Sequence, residues 1–378
     1  MRTLDDLGDI DGLRGLVRVD FNVPLDGDTV TDDARIRGAL PTIEELRERG
    51  AKLLLVSHLG RPSEREPEFS LRPVADHLSG LLGVDVELAP DLDHVPDGEV
   101  VMLENIRYEP GETSNDPGLA KRLGELADFY VNDAFGAAHR AHASTVGVVE
   151  HVERSAAGRL LQREVETLTG ILANPGRPLV AIVGGAKVTD KIGVIDAFLK
   201  VADTILIGGA MSYPFFKSQG HEVGASLCEE AGVEPAARAL EDAGGKLRLP
   251  VDHVLGAKFS ADTEPIQCDE IDVPEGLMGL DIGPQTAELY AEEIAAAGTV
   301  FWNGPMGAFE LKPFEAGTRA VAEAVAATDA VTVVGGGDSA AALAQFGLDD
   351  QITHMSTGGG ASLQLLEGKK LPGLEVLS

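Results

Sequence analysis

The sequence predicts an α/β fold with two doubly wound, Rossmann-like parallel-sheet domains that a helix joins. The chain has 378 residues, which is more than a single hydrophobic core usually supports, so two domains are expected. Short apolar runs alternate with helical segments along its whole length, as in parallel sheets covered by helices. Charged side chains follow the runs in the first half, whereas glycines follow them in the second half. The two domains should therefore bind different ligands.

The first half contains four apolar runs typical of buried strands, each ending in a polar turn. They are GLVRVDFNVP (15–24), AKLLLVSHLG (51–60), EVVMLENIRY (99–108) and DFYVNDAFG (128–136). Between the first two runs, RIRGALPTIEELRERG (35–50) has a helical pattern. We expect the first domain to span residues 1–157.

The second half repeats this organisation. Its strand-like runs are PLVAIVGGAK (178–187), DTILIGGAM (203–211), GTVFWNGPMG (298–307) and AVTVVGGGDS (330–339). The helical segment AEEIAAAG (291–298) ends in Gly298, which suits a helix C-cap. The amphipathic stretch 158–172, followed by the turn 174–176, predicts a joining helix over 158–174. The second domain should then span residues 175–361.

The chain is strongly acidic, with 62 Asp and Glu against 31 Lys and Arg and a formal net charge of −31. The acidic residues are spread along the chain, so the whole surface should repel nucleic acid and anionic membrane. Molar salt would largely screen this self-repulsion, which suggests a halophilic host. No apolar run is long enough to span a bilayer and no signal peptide is apparent, so we expect a cytoplasmic protein. We also expect a monomer.

Five basic side chains follow the strand-like runs or begin the helix after the first of them. They are Arg35, His58, Arg61, Arg107 and Arg140. Since ligands bind beyond the carboxyl ends of parallel strands, these side chains could converge on a small, multiply anionic ligand. The alternative for any one arginine is an ordinary surface ion pair. Asp20 and Asn22 could bond ligand hydroxyls or simply form a turn.

Metal and disulfide sites are not indicated. His139 and His142 are three residues apart, but no carboxylate or cysteine lies at ligand spacing, so hydrogen bonding to an anion or to local structure is favoured. Cys228 and Cys268 form no CxxC motif, and two ordinary thiols are the simplest interpretation.

The segment GGAKVTDK (184–191) follows a strand-like run and predicts a phosphate-binding turn at the start of a helix. Lys187 and Lys191 would then lie on one face of the first helical turns. The alternative is an ordinary glycine junction with solvated lysines. No GxxxxGK[ST] loop occurs in the sequence.

A second glycine turn, GGGDSA (335–340), also matches the dinucleotide fingerprint, so a nicotinamide-dependent dehydrogenase is a rival interpretation. The acidic residue expected about 20 positions later is missing, because that distance falls near 354–356. Asp338 inside the turn instead suits Mg²⁺ beside a polyphosphate. The run STGGGAS (356–362) could add another helix N-terminus to the same site.

Several long strings, taken together and in order, resemble the phosphoglycerate kinase family over nearly the whole chain. They are RVDFNVP (18–24), SHLGRP (57–62), VNDAFGAAHRAH (131–142), GLDIGP (279–284), WNGPMGAFE (302–310) and HMSTGGGASLQLLEGKKLPG (354–373). The resemblance implies reversible transfer of the acyl phosphate of 1,3-bisphosphoglycerate to ADP, giving 3-phosphoglycerate and Mg-ATP in glycolysis or gluconeogenesis. It also implies hinge bending about the 158–174 helix and a C-terminal segment, 362–378, that packs back on the first domain.

The resemblance further implies which residues form each site. Those expected to hold 3-phosphoglycerate are Asp20, Phe21, Asn22, Arg35, His58, Leu59, Gly60, Arg61, Arg107, His139 and Arg140. Those expected to hold the nucleotide are Gly185, Ala186, Lys187, Lys191, Gly209, Gly279, Glu310, Gly336, Gly337, Asp338 and Ser339. The catalytic set is expected to be Arg35, Lys187, Gly337 and Gly360.

Individual roles are implied by the same resemblance. Lys187 would contact the phosphoryl group in transit, Lys191 the nucleotide phosphates and Glu310 the ribose. Asp338 would hold Mg²⁺ mainly through the nucleotide, and Ser339 stands where the family usually has threonine. The adenine slot would be lined at 208–209 and 279–280. A non-catalytic nucleotide-binding protein with the same fold is a second rival, although Lys187, Arg35 and Asp338 are all present.

Overall fold

The computed structural model describes residues 1–378, which form 17 strands and 12 α-helices. The strands are β1 Arg14–Arg18, β2 Leu25–Asp26, β3 Thr29–Val30, β4 Lys52–Val56, β5 Val86–Ala89, β6 Val100–Leu103, β7 Phe129–Asn132, β8 Arg154–Ala157, β9 Leu179–Val183, β10 Thr204–Ile207, β11 Leu247–Arg248, β12 His253–Gly256, β13 Ile266–Cys268, β14 Met278–Ile282, β15 Thr299–Asn303, β16 Val331–Gly335 and β17 His354–Ser356. The helices are α1 Ala34–Glu48, α2 Arg72–Leu82, α3 Pro117–Gly124, α4 Arg159–Ala173, α5 Ile192–Val201, α6 Tyr213–Ser218, α7 Val233–Asp242, α8 Pro284–Ala295, α9 Ala316–Ala327, α10 Gly337–Phe346, α11 Gly359–Leu366 and α12 Pro372–Glu375.

The chain divides into two compact units. Unit 1 comprises Met1–Glu166 and Lys370–Ser378, and unit 2 comprises Thr167–Lys369. The boundary falls within α4, the helix predicted to join two domains. No helix of the structure combines the length and apolar character that crossing a membrane would require.

Unit 1 is built on a six-stranded sheet in the order β5-β6-β4-β1-β7-β8, and every pairing in it is parallel. The four strands predicted from the first half, β1, β4, β6 and β7, all form; β4, β6 and β7 lie inside the predicted runs, and β1 begins one residue before its run. They are adjacent in the sheet, so their carboxyl ends meet at one edge. The two outer strands, β5 and β8, were not predicted because their sequences, VELA and RSAA, contain polar residues and give no continuous apolar run.

Unit 2 contains a second parallel sheet in the order β11-β10-β9-β15-β16-β17. The four strands predicted from the second half, β9, β10, β15 and β16, lie at its centre. A separate antiparallel sheet, β13-β12-β14, was not predicted. The α/β prediction with two parallel sheets is confirmed.

Two details of the prediction differ from the structure. Helix α8 ends at Ala295 with Ala296 as its C-cap, so Gly298 is not a cap. Gly298 is required for another reason: a side chain there would collide with the backbone of Arg177.

The C-terminal segment joins unit 1 later than position 362. Helix α11 packs on α5 and belongs to unit 2, and a side chain at Gly193 in α5 would collide with Glu367 just after α11. Only residues 370–378 belong to unit 1, where Gly373 N–H donates to Ala138 O (2.9 Å) and Arg2 N–H donates to Leu377 O (2.7 Å).

Candidate functional site

The turns after β1 and β4 in unit 1 are tied together by polar contacts. The side-chain oxygen of Asn22 accepts a hydrogen bond from Gly60 N–H (2.8 Å). Arg35, in the first turn of α1, donates to Asp20 Oδ1 (3.3 Å) and to Asn22 O (3.1 Å). These four residues, all predicted to belong to the anion site, therefore lie together at the carboxyl edge of the sheet.

Arg107 follows β6 and lies at the same edge, because it donates a hydrogen bond to Gly60 O. Burial lowers the pKa of its guanidinium, and the charges of Arg140, Arg18 and Arg61 lower it further. Like charges repel at this range, and a bound anion would relieve that repulsion. The arrangement can therefore attract a multiply charged anion. We call Arg35, His58, Arg61, Arg107 and Arg140 the basic cluster.

Two apolar residues predicted to contact the substrate support these turns. Phe21 and Leu59 are buried. Sequence reasoning missed Asn105, which fixes the turn after β4: its amide donates to Leu59 O (2.7 Å) and to Phe69 O (2.9 Å), and its oxygen accepts from Leu59 N–H (3.2 Å). An asparagine inside the run 99–108 gave no sign of this role.

His139 and His142 have different surroundings. The Nε2 atom of His139 accepts a hydrogen bond from Arg140 Nε (3.1 Å), so His139 touches the basic cluster. His142 is buried, with Nδ1 3.7 Å from Glu112 Oε1. Burial, followed by the charges of Arg18 and Arg107, lowers the pKa of His142 to about 4.

A buried ionic network lies beside the basic cluster and was missed at the level of sequence. Arg18 is 1% exposed, and its guanidinium donates to Ser144 Oγ (2.8 Å) and to His58 Nδ1 (3.2 Å). Ser144 in turn donates its hydroxyl to Glu112 Oε1 (2.6 Å) and its N–H to Glu112 Oε2 (3.0 Å). The only sign of it in the sequence was Arg18 within the apolar run LVRV. Arginine is almost never fully buried unless it is paired, so an arginine in a buried strand indicates a partner elsewhere in the chain.

Unit 2 contains a cavity of about 840 Å³, a size typical of small-molecule sites. The turns after β9, β10 and β15 line it, together with β14 and the start of α10. Six residues predicted to bind the nucleotide lie on its wall: Gly185, Ala186, Gly209, Gly279, Glu310 and Asp338. Leu280, predicted beside Gly279 in the adenine slot, also lines it.

Glycine is needed at two of these positions because the chain approaches its neighbours closely. Gly209 has φ +69°, and a side chain there would collide with the backbone of Gly185. A side chain at Gly279 would overlap the hydroxyl of Tyr213. At both positions, a larger residue would have to move the cavity wall.

The prediction that Lys187 and Lys191 share the first turns of a helix is wrong. Helix α5 begins only at Ile192, with Lys191 as its N-cap residue. Lys187 is exposed in the preceding turn, whereas Lys191 Nζ donates to Gly184 O (2.7 Å), Asn303 O (3.1 Å) and Asn303 Oδ1 (2.5 Å). The ammonium group of Lys191 thus connects the turn after β9 with the end of β15. Burial lowers the pKa of Lys191 to about 8, although Asp338 opposes this shift.

The second glycine turn has the predicted strand-to-helix geometry. Gly336 (φ +97°) is the N-cap of α10, which starts at Gly337 and carries Asp338, exposed, in its first turn. The hydroxyl of Ser339 is buried and accepts a hydrogen bond from Gly304 N–H (2.6 Å). Gly360 is the second residue of α11 and is exposed.

The donor set near the cavity fits a metal ion that a ligand would help to hold. No group of three or more His, Cys, Asp or Glu side chains is arranged to bind a metal. Asp338 is nevertheless an exposed carboxylate on the cavity wall, and carboxylate oxygen is a preferred ligand of Mg²⁺. One carboxylate plus substrate phosphates is a common way to hold this ion.

Two large apolar side chains on the wall of the cavity, Leu227 and Phe259, were missed by sequence reasoning. Tyr213, Leu227, Phe259 and Met306 all line it, and Leu227 and Phe259 are 61% and 59% exposed. Exposed large apolar side chains beside a cavity indicate a surface for a flat apolar group. Nothing in the sequence around Leu227 or Phe259 marks them, because they come from segments far apart in the chain, whereas Met306 lies within the run 298–307.

Comparison with known proteins gives consistent results. The sequence model of the family "Phosphoglycerate kinase" matches residues 4–369. The phosphoglycerate kinase of Clostridium novyi is 51% identical, with 100% of this chain and 98% of that protein covered. The enzyme of Anaeromyxobacter dehalogenans is 53% identical, with 99% and 98% covered.

A solved structure agrees with these sequence matches. The phosphoglycerate kinase of Coxiella burnetii superposes with a TM-score of 0.89 at 43% identity, covering 99% of this chain and 98% of that one. Similarity of this extent, over both units and in the order of the motifs, shows that this chain belongs to the phosphoglycerate kinase family.

Proposed function

We propose that this chain catalyses reversible phosphoryl transfer from 1,3-bisphosphoglycerate to ADP, giving 3-phosphoglycerate and ATP, in glycolysis and gluconeogenesis. The proposal rests on the presence of two complementary sites, one in each unit, in a chain of this family. Unit 1 has a basic cluster at the carboxyl edge of its sheet. Unit 2 has a glycine-lined cavity that ends in a helix N-terminus with a carboxylate.

In the proposed substrate site, the basic cluster holds the phosphate and carboxyl groups of 3-phosphoglycerate. Guanidinium groups suit both, because their planar donors match phosphate and carboxylate oxygens. Asp20 and Asn22 bond the hydroxyl group, and His139 adds a contact through Arg140. Phe21, Leu59 and Gly60 shape the site by forming the turns after β1 and β4. Mutual repulsion among the arginines before binding supports this assignment.

In the proposed nucleotide site, the base lies against the apolar wall of the cavity and Glu310 bonds the ribose. The phosphates lie at the turns that contain Gly185–Ala186 and Gly336–Gly337, where backbone N–H groups and helix N-termini favour anions. Asp338 would hold Mg²⁺ together with the nucleotide phosphates, and the ion would neutralise charge on them. Lys191 supports this site through Gly184 and Asn303 rather than through a free ammonium group.

The reaction breaks the bond between the acyl oxygen and phosphorus and forms a bond from phosphorus to a terminal oxygen of ADP. In the reverse direction the nucleophile is a carboxylate, which is ionised at pH 7. Neither direction requires a general base, so catalysis depends on alignment and on neutralising charge on the transferred group. Lys187, Arg35 and the N–H groups at Gly337 and Gly360 are the proposed sources of that neutralisation.

The transfer also requires the two ligands to meet without water between them. We propose that α4 acts as the hinge for this movement, with residues 1–157 and 370–378 in the 3-phosphoglycerate domain and residues 175–369 in the nucleotide domain. We further propose that the enzyme works as a cytoplasmic monomer in a salt-rich cell, since a net charge of −31 keeps molecules apart and is best screened by salt.

A coupled assay tests the proposed function directly. Purified protein with 3-phosphoglycerate, ATP and Mg²⁺ should form 1,3-bisphosphoglycerate, and Lys187→Ala or Arg35→Ala should reduce kcat by orders of magnitude. The same assay without added Mg²⁺ should give little product. Absence of turnover by well-folded protein would favour a non-catalytic nucleotide-binding protein.

A thermal-shift experiment separates the kinase from a nicotinamide-dependent enzyme. ADP with Mg²⁺ at about 100 times its Kd should stabilise the protein by roughly 2.7 kcal/mol. NAD at the same concentration should leave the melting temperature unchanged. Stabilisation by NAD but not by ADP would contradict the proposal.

A further inference from the structure

The contact between Arg18 and His58 fixes the chemical form of a residue in the proposed substrate site. Arg18 Nη2 lies 3.2 Å from His58 Nδ1, and both side chains are buried. A guanidinium group has only donors and stays protonated in proteins. The Nδ1 atom of His58 must therefore accept this bond through its lone pair. A neutral imidazole that accepts at Nδ1 carries its proton on Nε2.

We infer that Arg18 is a positioning residue that holds His58 as the neutral Nε2–H tautomer, so that His58 presents a hydrogen-bond donor to the phosphoglycerate. This inference rests on the proposed function of the basic cluster. The carboxylate and phosphate groups of 3-phosphoglycerate offer oxygen acceptors. A donor in a fixed direction suits them, whereas the other tautomer would present a lone pair at Nε2 to those oxygens.

The groups around His58 support a neutral ring. Arg18 comes from β1, Arg35 from α1, Arg107 from the turn after β6 and His142 from the turn after β7; burial and all four of these groups lower the pKa of His58. The facing carboxylate is Asp20, with Oδ1 3.9 Å from Nδ1, which is too far for a hydrogen bond. Asp20 is already engaged by Arg35.

Arg18 is itself held in place by a chain of bonds that ends in a buried carboxylate. Its Nε donates to Ser144 Oγ, its Nη1 donates to Val19 O, and Ser144 donates to Glu112. Burial raises the pKa of Glu112, but the charge of Arg18 and the two hydrogen bonds from Ser144, one to each carboxylate oxygen, lower it and favour the ionised form. The Glu112–Ser144–Arg18 chain thus orients the donor that selects the tautomer of His58.

Nitrogen NMR on the wild-type protein tests this without any substitution. The ring nitrogens of all nine histidines are labelled with ¹⁵N, and the His58 signals are identified by their loss in His58→Gln. We expect His58 to show a protonated Nε2 and an unprotonated Nδ1 from pH 5.5 to pH 8, with and without 3-phosphoglycerate. A proton on Nδ1, or a doubly protonated ring at pH 7, overturns the inference.

Two substitutions at position 58 test whether the donor at Nε2 is what the substrate uses. Glutamine places an amide nitrogen near the position of Nε2, whereas asparagine places one near that of Nδ1. We expect the KM for 3-phosphoglycerate to rise about tenfold in His58→Asn, as for the loss of one hydrogen bond to a charged group. His58→Gln should retain more of the affinity. The reverse order contradicts the inference.

Arg18→Gln, with Arg14→Gln as its matched control in the same strand, tests the positioning role. Arg14 pairs with the exposed Asp97, so its loss should change neither KM nor the His58 signals. Arg18→Gln should alter the His58 nitrogen signals and raise the KM for 3-phosphoglycerate about tenfold, while the KM for ADP stays the same. An equal rise in both KM values would indicate a merely structural role. If wild-type protein shows the expected tautomer but does not turn over 3-phosphoglycerate, the proposed function fails and the tautomer assignment stands.

Discussion

Replacing Lys191 with methionine should destabilise unit 2, because this side chain connects the turn after β9 with the end of β15. Methionine has a similar length and no donors. The substitution would leave Gly184 O and Asn303 Oδ1 without the ammonium group that now bonds them at 2.7 and 2.5 Å. Asn303 O is affected less, since it also accepts a hydrogen bond from Gly184 N–H (2.9 Å).

The expected loss is set by these two acceptors. Each buried acceptor left unpaired costs about 1–3 kcal/mol. Burial of the ammonium group is itself unfavourable and lowers the pKa of Lys191, which places the total toward the lower end. We therefore expect the free energy of unfolding of unit 2 to fall by about 2–3 kcal/mol. Lys187→Met is the matched control: this exposed lysine should change stability by less than about 0.5 kcal/mol while abolishing most activity.

Urea unfolding, monitored by tryptophan fluorescence, reports on the region around the Lys191 contacts. Trp302 is the only tryptophan, is fully buried in β15 next to Asn303, and donates to Gly304 O (2.8 Å). Its signal therefore tracks unfolding around the Lys191 contacts. A stabilising role for Lys191 is refuted if Lys191→Met and wild type have identical unfolding midpoints and the variant loses only activity. Lys191 would then act on the nucleotide and would not stabilise unit 2.

Three further predictions test other parts of the molecule. Burial raises the pKa of Asp133 to about 6. The protonated carboxyl group therefore contributes stability below about pH 4, and this contribution is lost as the pH rises through 6. The free energy of unfolding of the wild type, measured with urea, should fall by an amount on the order of 2 kcal/mol between pH 4 and pH 7, and Asp133→Asn should abolish this fall. Ser339→Ala should lower the free energy of unfolding by about 1–2 kcal/mol because Gly304 N–H loses its acceptor. Ser339→Thr keeps the hydroxyl and should retain the stability of the wild type in the same assay. The melting temperature should rise from low to molar KCl because salt screens repulsion within a chain of net charge −31, and a flat profile would count against a halophilic adaptation.

The sequence predicted well which side chains lie together at the edge of each sheet, because parallel sheets leave little freedom. Once the runs that end near Asp20, His58 and Arg107 are recognised as parallel strands, their carboxyl ends must share one edge. The runs are rich in Val, Ile and Leu and almost entirely buried, so they are readily recognised as strands. The residues placed at that edge were therefore predictable from local sequence alone.

The sequence did not predict how distant side chains support these turns. Lys191 was expected on a helical face, but its amine bonds Asn303, which lies 112 positions later. Arg18 meets Ser144 across 126 positions. No local pattern encodes such a partner, because the contact depends on which strands become neighbours. The antiparallel sheet was missed for a related reason: β13 is three residues long and has no fully buried position.

The net negative charge of the chain repels the substrate, whereas the basic cluster attracts it. Varying the salt concentration should distinguish these two effects. At about 0.01 M salt the Debye length is roughly 30 Å, so the net charge of −31 repels an anionic substrate over the whole surface. At about 0.1 M it is roughly 10 Å, which screens distant carboxylates more than it screens arginines near the bound anion. At molar salt the Debye length is roughly 3 Å, and the attraction between the arginines and the bound anion is weakened too.

The KM for 3-phosphoglycerate should therefore pass through a minimum as KCl increases, instead of rising steadily as it would for a basic site on a neutral protein. Steady-state rates at saturating nucleotide, from about 10 mM to about 2 M KCl, measure it across the range in which the Debye length shrinks. Arg61→Gln serves as a comparison because it weakens the cluster without removing a buried contact. A KM that rises steadily from the lowest salt would mean that the basic cluster alone controls substrate approach. The distributed negative charge would then have no part in binding.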